Sequence, residues 1–135
     1  MNYWERWEKE GESWRKIFAQ IDPFLAAFAE SHGMKFTRWH WDAPDRMLTW
    51  GETVYRNIHL YVEGEPSLYK LVLETAAWED HFINGRQQRY LKQETFTTLP
   101  IAEDSKLSVE ECAAAVEKAF DTVSSWPREE LTSVF

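Results

Sequence analysis

Four histidines, one cysteine and a surplus of carboxylates are the groups with which this chain could do chemistry. His40 and Asp42 stand two apart in "RWHWDAPDR". On a strand that spacing puts both side chains on one face, and His59 on a neighbouring strand would complete a two-histidine, one-carboxylate metal site. The stricter spacings are missing: there is no HExxH, no CxxC and no EF-hand loop. Asp42 also sits beside a proline turn, where Asp is common for backbone reasons. No metal and no other cofactor is therefore expected. His32 falls at a helix end, where a partly cationic imidazole suits the dipole. His81 follows Glu79 and Asp80 near a hairpin tip.

Nucleophilic chemistry has less support. Cys112 is the sole cysteine and lies in an apolar helical stripe, which reads as a buried thiol. There is no GxSxG, and the five glycines are too scattered to cradle a phosphate. Glu63/Glu65 and Glu79/Asp80 fall in probable loops as solvated charge. Glu74, near Lys70 and His59, suits an acid–base role or a cross-strand salt bridge equally well.

The elements that must position these groups follow from periodicity. Trp4, Trp7, Gly11, Trp14, Phe18, Ile21, Leu25 and Phe28 recur at spacings of three and four, the signature of one helical face. This predicts a helix over 2–32 with a kink or restart near 22–23, where Asp22 would cap and Pro23 take the first helical position. Gly33 is a natural C-cap. Strands are expected at about 34–41, 46–50, 53–62, 68–78 and 87–97, separated by turn signals at Pro44, Gly51, Gly64 and Asn84-Gly85. A last helix over 109–125 opens with a capping box, Ser108 to Glu111, flanked by Leu107 and Cys112 as a hydrophobic staple. Its apolar face is Val109, Cys112, Ala113, Val116, Phe120 and Val123, and Pro127 ends it. The tail carries Leu131, Val134 and Phe135, which would dock or fray. The fold class is α+β: an antiparallel four- or five-stranded meander sheet with the N-terminal and C-terminal helices packed on one face, in a single domain over 1–135.

Alternation then sorts the faces. In "VYRNIHLYV", Val54, Arg56, Ile58, Leu60 and Val62 form the core side, and Tyr55, Asn57, His59 and Tyr61 the other. On the next strand Leu71, Leu73 and Thr75 oppose Lys70, Val72 and Glu74. The first hairpin depends on loop parity, because a one-residue slip exchanges its two faces. An even loop is favoured, since Arg46 ill suits the left-handed position of a three-residue loop. Trp39, Trp41, Leu48 and Trp50 would then be core. Arg38 and His40 would join Thr49, Tyr55, Asn57, His59, Tyr61, Lys70 and Glu74 on the uncovered face.

Composition bounds the function. Eight Trp, eight Phe and five Tyr supply ample core and argue against disorder. The net charge of −8 is unevenly spread: residues 100–135 hold eight acids against three bases. That balance repels phosphate backbones, so no nucleic acid is expected. With no secretory leader, no membrane-spanning run and no disulfide, a cytoplasmic location is expected. The expected function is a non-enzymatic interaction protein. It would hold a protein partner, or itself as a homo-oligomer, through the polar–aromatic sheet face, a sheet edge or the acidic C-terminal region. Arg38, His40, Tyr55, His59 and Tyr61 would make the contacts. The competing reading is a small-molecule-binding domain or enzyme with a pocket between sheet and helices near Arg38, His40 and His59. The two differ in whether those side chains converge.

Overall fold

A computed structural model describes residues 3–38, 44–65, 67–82 and 86–127, with side chains described throughout except at 3, 4, 6, 7, 80–82 and 86–89. The element order is α1 (Tyr3–His32), β1 (Lys35–Thr37), β2 (Asp45–Gly51), β3 (Val54–Glu63), β4 (Lys70–Phe82), β5 (Arg86–Pro100) and α2 (Val109–Ser124). The five strands form one antiparallel sheet in sequence order, and the fold is α+β. Among the described residues no helix is long and apolar enough to cross a membrane.

Helix α1 buries Ile17, Phe18, Ile21, Leu25, Phe28 and Ala29 along one stripe. The stripe continues across Pro23, and so does the helix. Of the kink or restart expected at 22–23, the restart does not occur. A proline inside a helix forfeits one backbone hydrogen bond and costs about 3 kcal/mol. Ile21 and Leu25 on either side are fully buried, and each such side chain contributes about 1.5–3 kcal/mol by leaving water. Asp22 is consequently no cap, and its carboxylate is used elsewhere. The helix ends as Gly33 predicts. Gly33 has φ +66°, its N–H donates to Glu30 O and that of Met34 to Ala29 O, the paired bonds of a Schellman motif.

The sheet registers fix the faces. Leu48 pairs with Ile58, and Leu60 with Leu73, and all four are fully buried against the helices. The β2–β3 turn needs Gly51, whose φ is +107° and whose missing Cβ would collide with the Val54 carbonyl. "TAAWED" belongs to β4, which is longer than expected. Strand β5 carries two bulges, opposite Leu73/Glu74 and Ala77/Trp78. Each shifts the alternation by one residue. As a result Leu91, Phe96 and Leu99 all pack on the helix-side core, which an unbroken strand could not arrange. Asn84-Gly85 lies outside the described residues.

Helix α2 starts at Ser108, whose Oγ accepts the Glu111 N–H at 3.3 Å, and Leu107 and Cys112 are both buried beside it. The buried positions are Cys112, Val116, Ala119 and Val123. Val109, expected on the buried face, lies on the same stripe but is 39% exposed as the first residue of the helix. Two side chains tie α2 to the rest. The Gln20 amide donates to Ser105 O (2.8 Å) and accepts the Leu107 N–H (3.0 Å), holding the loop before α2 against α1. Arg56 of β3 donates to the carbonyls of Val123 and Trp126 at the far end. The last turn of α2 has no base of its own, so Arg56 supplies the positive charge that a helix C-terminus favours. Burial lowers the pKa of that guanidinium.

Candidate functional site: the uncovered sheet face

Both helices pack on one side of the sheet. The other side presents Asp45, Met47 and Thr49 from β2, Tyr55, Asn57, His59 and Tyr61 from β3, and Val72, Glu74, Ala76 and Trp78 from β4. These positions follow from the registers, which place Met47 opposite His59, His59 opposite Glu74, Asn57 opposite Ala76 and Tyr55 opposite Trp78. At one end the Tyr55 and Trp78 rings stack across the strands with centroids 4.6 Å apart, a stabilising cross-strand pair. At the other end two polar pairs run diagonally. Tyr61 donates its hydroxyl to Glu74 Oε1 at 3.1 Å, and His59 Nε2 lies 3.2 Å from Asp45 Oδ2. The rings of His59 and Tyr61 are 5.2 Å apart. Burial first, then the bond to Glu74 and its charge, raise the pKa of the Tyr61 phenol. Lys70, expected beside Glu74, is exposed and makes no ion pair to it.

Between these ends the face has a floor of small side chains. Asn57, Val72 and Ala76 are 4%, 3% and 2% exposed although neither α1 nor α2 packs on this side. The Oδ1 of Asn57 is buried and has no hydrogen-bond partner. A buried amide oxygen left unpaired costs about 1–3 kcal/mol, so it is a feature that needs a use. The groups this face offers lie at its rim: flat rings and the fixed carboxylates of Asp45 and Glu74.

The sequence-derived residues divide. Tyr55, His59 and Tyr61 lie together on this face, as expected. Arg38 does not. Phe36 pairs with Leu48, so Arg38, two residues on, comes to the helix side, where its guanidinium is 3.2 Å from Asp22 Oδ2. The parity assigned to the first hairpin is therefore reversed in the described ladder. The cause is Arg46. It lies within β2 rather than in the turn, is 1% exposed, donates Nε to Asp22 Oδ1 at 3.0 Å and stacks 4.2 Å over the Phe18 ring. His40, Trp39, Trp41 and Asp42 lie outside the described residues, as does the tail with Leu131, Val134 and Phe135. Among the described residues no three His, Cys, Asp or Glu groups are placed to hold a metal.

Asp45 and Trp78 are site residues that sequence reasoning missed. Trp78 continues the alternation of Val72, Glu74 and Ala76, a signal that was present in the chain. Asp45 reads as a turn residue until the register places it beside His59. The competing pocket does not assemble from its three residues. A groove of about 680 Å³ does open beside Arg38, lined by Ala19, Asp22, Pro23, Ala26 and Phe36. His59 faces away from it, on the other side of the sheet. Burial pushes the Cys112 thiol up to about 12, far from a reactive thiolate.

Comparison with protein-family models, with curated proteins and with solved structures finds no match for this chain. Its function is argued from its own geometry.

Proposed function

We propose that the protein is a non-enzymatic binding module that holds a protein partner on the uncovered face of its sheet. The observation that carries this is the gathering of the Tyr55, Trp78, His59 and Tyr61 rings, all part-exposed, on one face of the sheet. The rim offers Tyr and Trp rings, the residue types enriched where proteins meet. The net charge of −8 favours a partner without exposed phosphates.

The test is capture from native extract together with solution mass, for the wild-type chain and for Tyr55→Ser with Asn57→Leu. The proposal expects a retained protein that the double variant loses while keeping its fold. A monomer that retains nothing, or a partner retained equally by the variant, would sink it. A dimer that the same variant dissociates would assign the face to a second copy of this chain.

A further inference from the structure

On the opposite side of the sheet the two helices end side by side. The last three turns of α1 and the last two of α2 line a cleft of about 590 Å³, with Phe24, Phe28, His32, Glu117, Phe120 and Asp121 among its walls. That volume is in the range of pockets that take small ligands or single side chains. Its apolar part is a cluster of rings: Phe24 lies 5.6 Å from Phe28, and Phe28 meets Phe120 edge-on at 5.7 Å; Phe120 in turn packs 5.2 Å from Trp50 behind it. His32 stacks on Phe28 at 4.0 Å and is held by its own helix, with Nδ1 2.8 Å from the Phe28 carbonyl. That oxygen can only accept, so Nδ1 carries the hydrogen.

The electrostatics of the cleft are one-sided. Glu117 and Asp121 are four apart on α2, hence neighbours on one face of the helix. Both are exposed, and neither has a cationic partner among the described residues. Both helices bring their negative dipole ends here, where acids are unfavourable and cations favourable. The last turn of α2 has no base, and His32 is the only base in that of α1. Aromatic faces attract a cation through their quadrupole. Three features thus favour positive charge in one place: the carboxylates, the C-terminus of α1 and the phenyl rings, while the C-terminus of α2 is already served by Arg56.

We infer that this cleft is a docking site for an arginine side chain presented by a partner protein. Arginine fits better than lysine because its planar guanidinium stacks on a ring while its fork bridges two carboxylates. The inference does not rest on the sheet-face reading, since the two surfaces lie on opposite sides of the sheet.

The test is a backbone amide shift titration of the full chain at low salt. The probe is an acetylated, amidated Gly-Arg-Gly peptide, compared with its lysine and citrulline counterparts. Saturable shifts are expected at residues 28–32 and 117–121. The citrulline peptide, which keeps the shape and loses the charge, should bind at least about tenfold more weakly, and the lysine peptide about threefold more weakly. E117Q/D121N should weaken the arginine peptide at least about fivefold, whereas E103Q/E110Q, which removes two exposed acids elsewhere, should leave it within about twofold. Absence of saturable shifts, equal losses in the two double variants, or citrulline binding as well as arginine would overturn the site. Lysine binding as tightly as arginine would overturn the choice of guanidinium.

Discussion

The two faces of the sheet carry the same kinds of polar pair in different settings. On the helix side Asp22 meets Arg46 at 3.0 Å and Arg38 at 3.2 Å, with the Arg46 side chain 1% exposed and Asp22 15%. On the uncovered side Asp45 meets His59 at 3.2 Å, and both are about one quarter exposed. The Asp22–Arg46 pair is closed, while Arg38 at its edge is 40% exposed. Arg46 also donates to the Asp45 carbonyl, lies over Phe18 and is sealed by the helix. The second is open, with hydrogen-bonding capacity left over and an unpaired amide beside it. Burial, more than residue type, separates a group that holds the fold from a group that can meet something else.

That contrast can be broken by substitution. Asp22→Ala removes the carboxylate that meets the buried Arg46 guanidinium and should cost about 3–5 kcal/mol, read by chemical denaturation. If the loss is under about 1 kcal/mol, water reaches Arg46 and the closed description fails. Gln20→Ala strips partners from Ser105 O and the Leu107 N–H and should cost about 1–3 kcal/mol, with faster amide exchange at Leu107.

On the uncovered side the effects shrink. Tyr61→Phe should cost about 0.5–1.5 kcal/mol at neutral pH. The phenol's folded pKa is raised above its ordinary value of 10.0. Its contribution is therefore complete below pH 10 and is lost as pH rises through the folded value. The stability gap between wild type and Tyr61→Phe should close in that alkaline window, and a gap that stays constant with pH would remove the assigned role of Glu74. His59→Ala should change stability least, by less than about 1 kcal/mol, because its pair with Asp45 is solvated. A larger loss would make this face structural and weaken its reading as a binding surface.

Much of the fold was legible because most residues obey simple rules of burial. The α1 stripe, the Gly33 cap, the Ser108 cap and the alternation of β3 all follow from periodicity and local hydrogen bonding. Tyr55, His59 and Tyr61 were placed together for the same reason. The first hairpin was not legible. A pattern reading turns charge toward water, and Arg46 is turned inward because Asp22, some twenty residues away on a helix, meets it there. The same slip carried Arg38 to the wrong face. The β5 bulges were hidden because a one-residue insertion leaves no mark in composition. Asn57 could be placed on its face from alternation, but its missing partner is a fact of three dimensions only.

The Arg56 contact has a consequence for how the molecule is made. Its guanidinium reaches carbonyls 67 and 70 residues further along the chain. Contacts of such separation are slow to form, since a long loop must close before they return any energy. During synthesis the chain emerges from its N-terminus. Strand β3 is therefore made well before the helix end that Arg56 will grip, and the side of the sheet that α2 covers stays open until Val123 and Trp126 arrive. A ribosome stalled before Val123 would hold a sheet with an unclosed core and an arginine waiting for its acceptors.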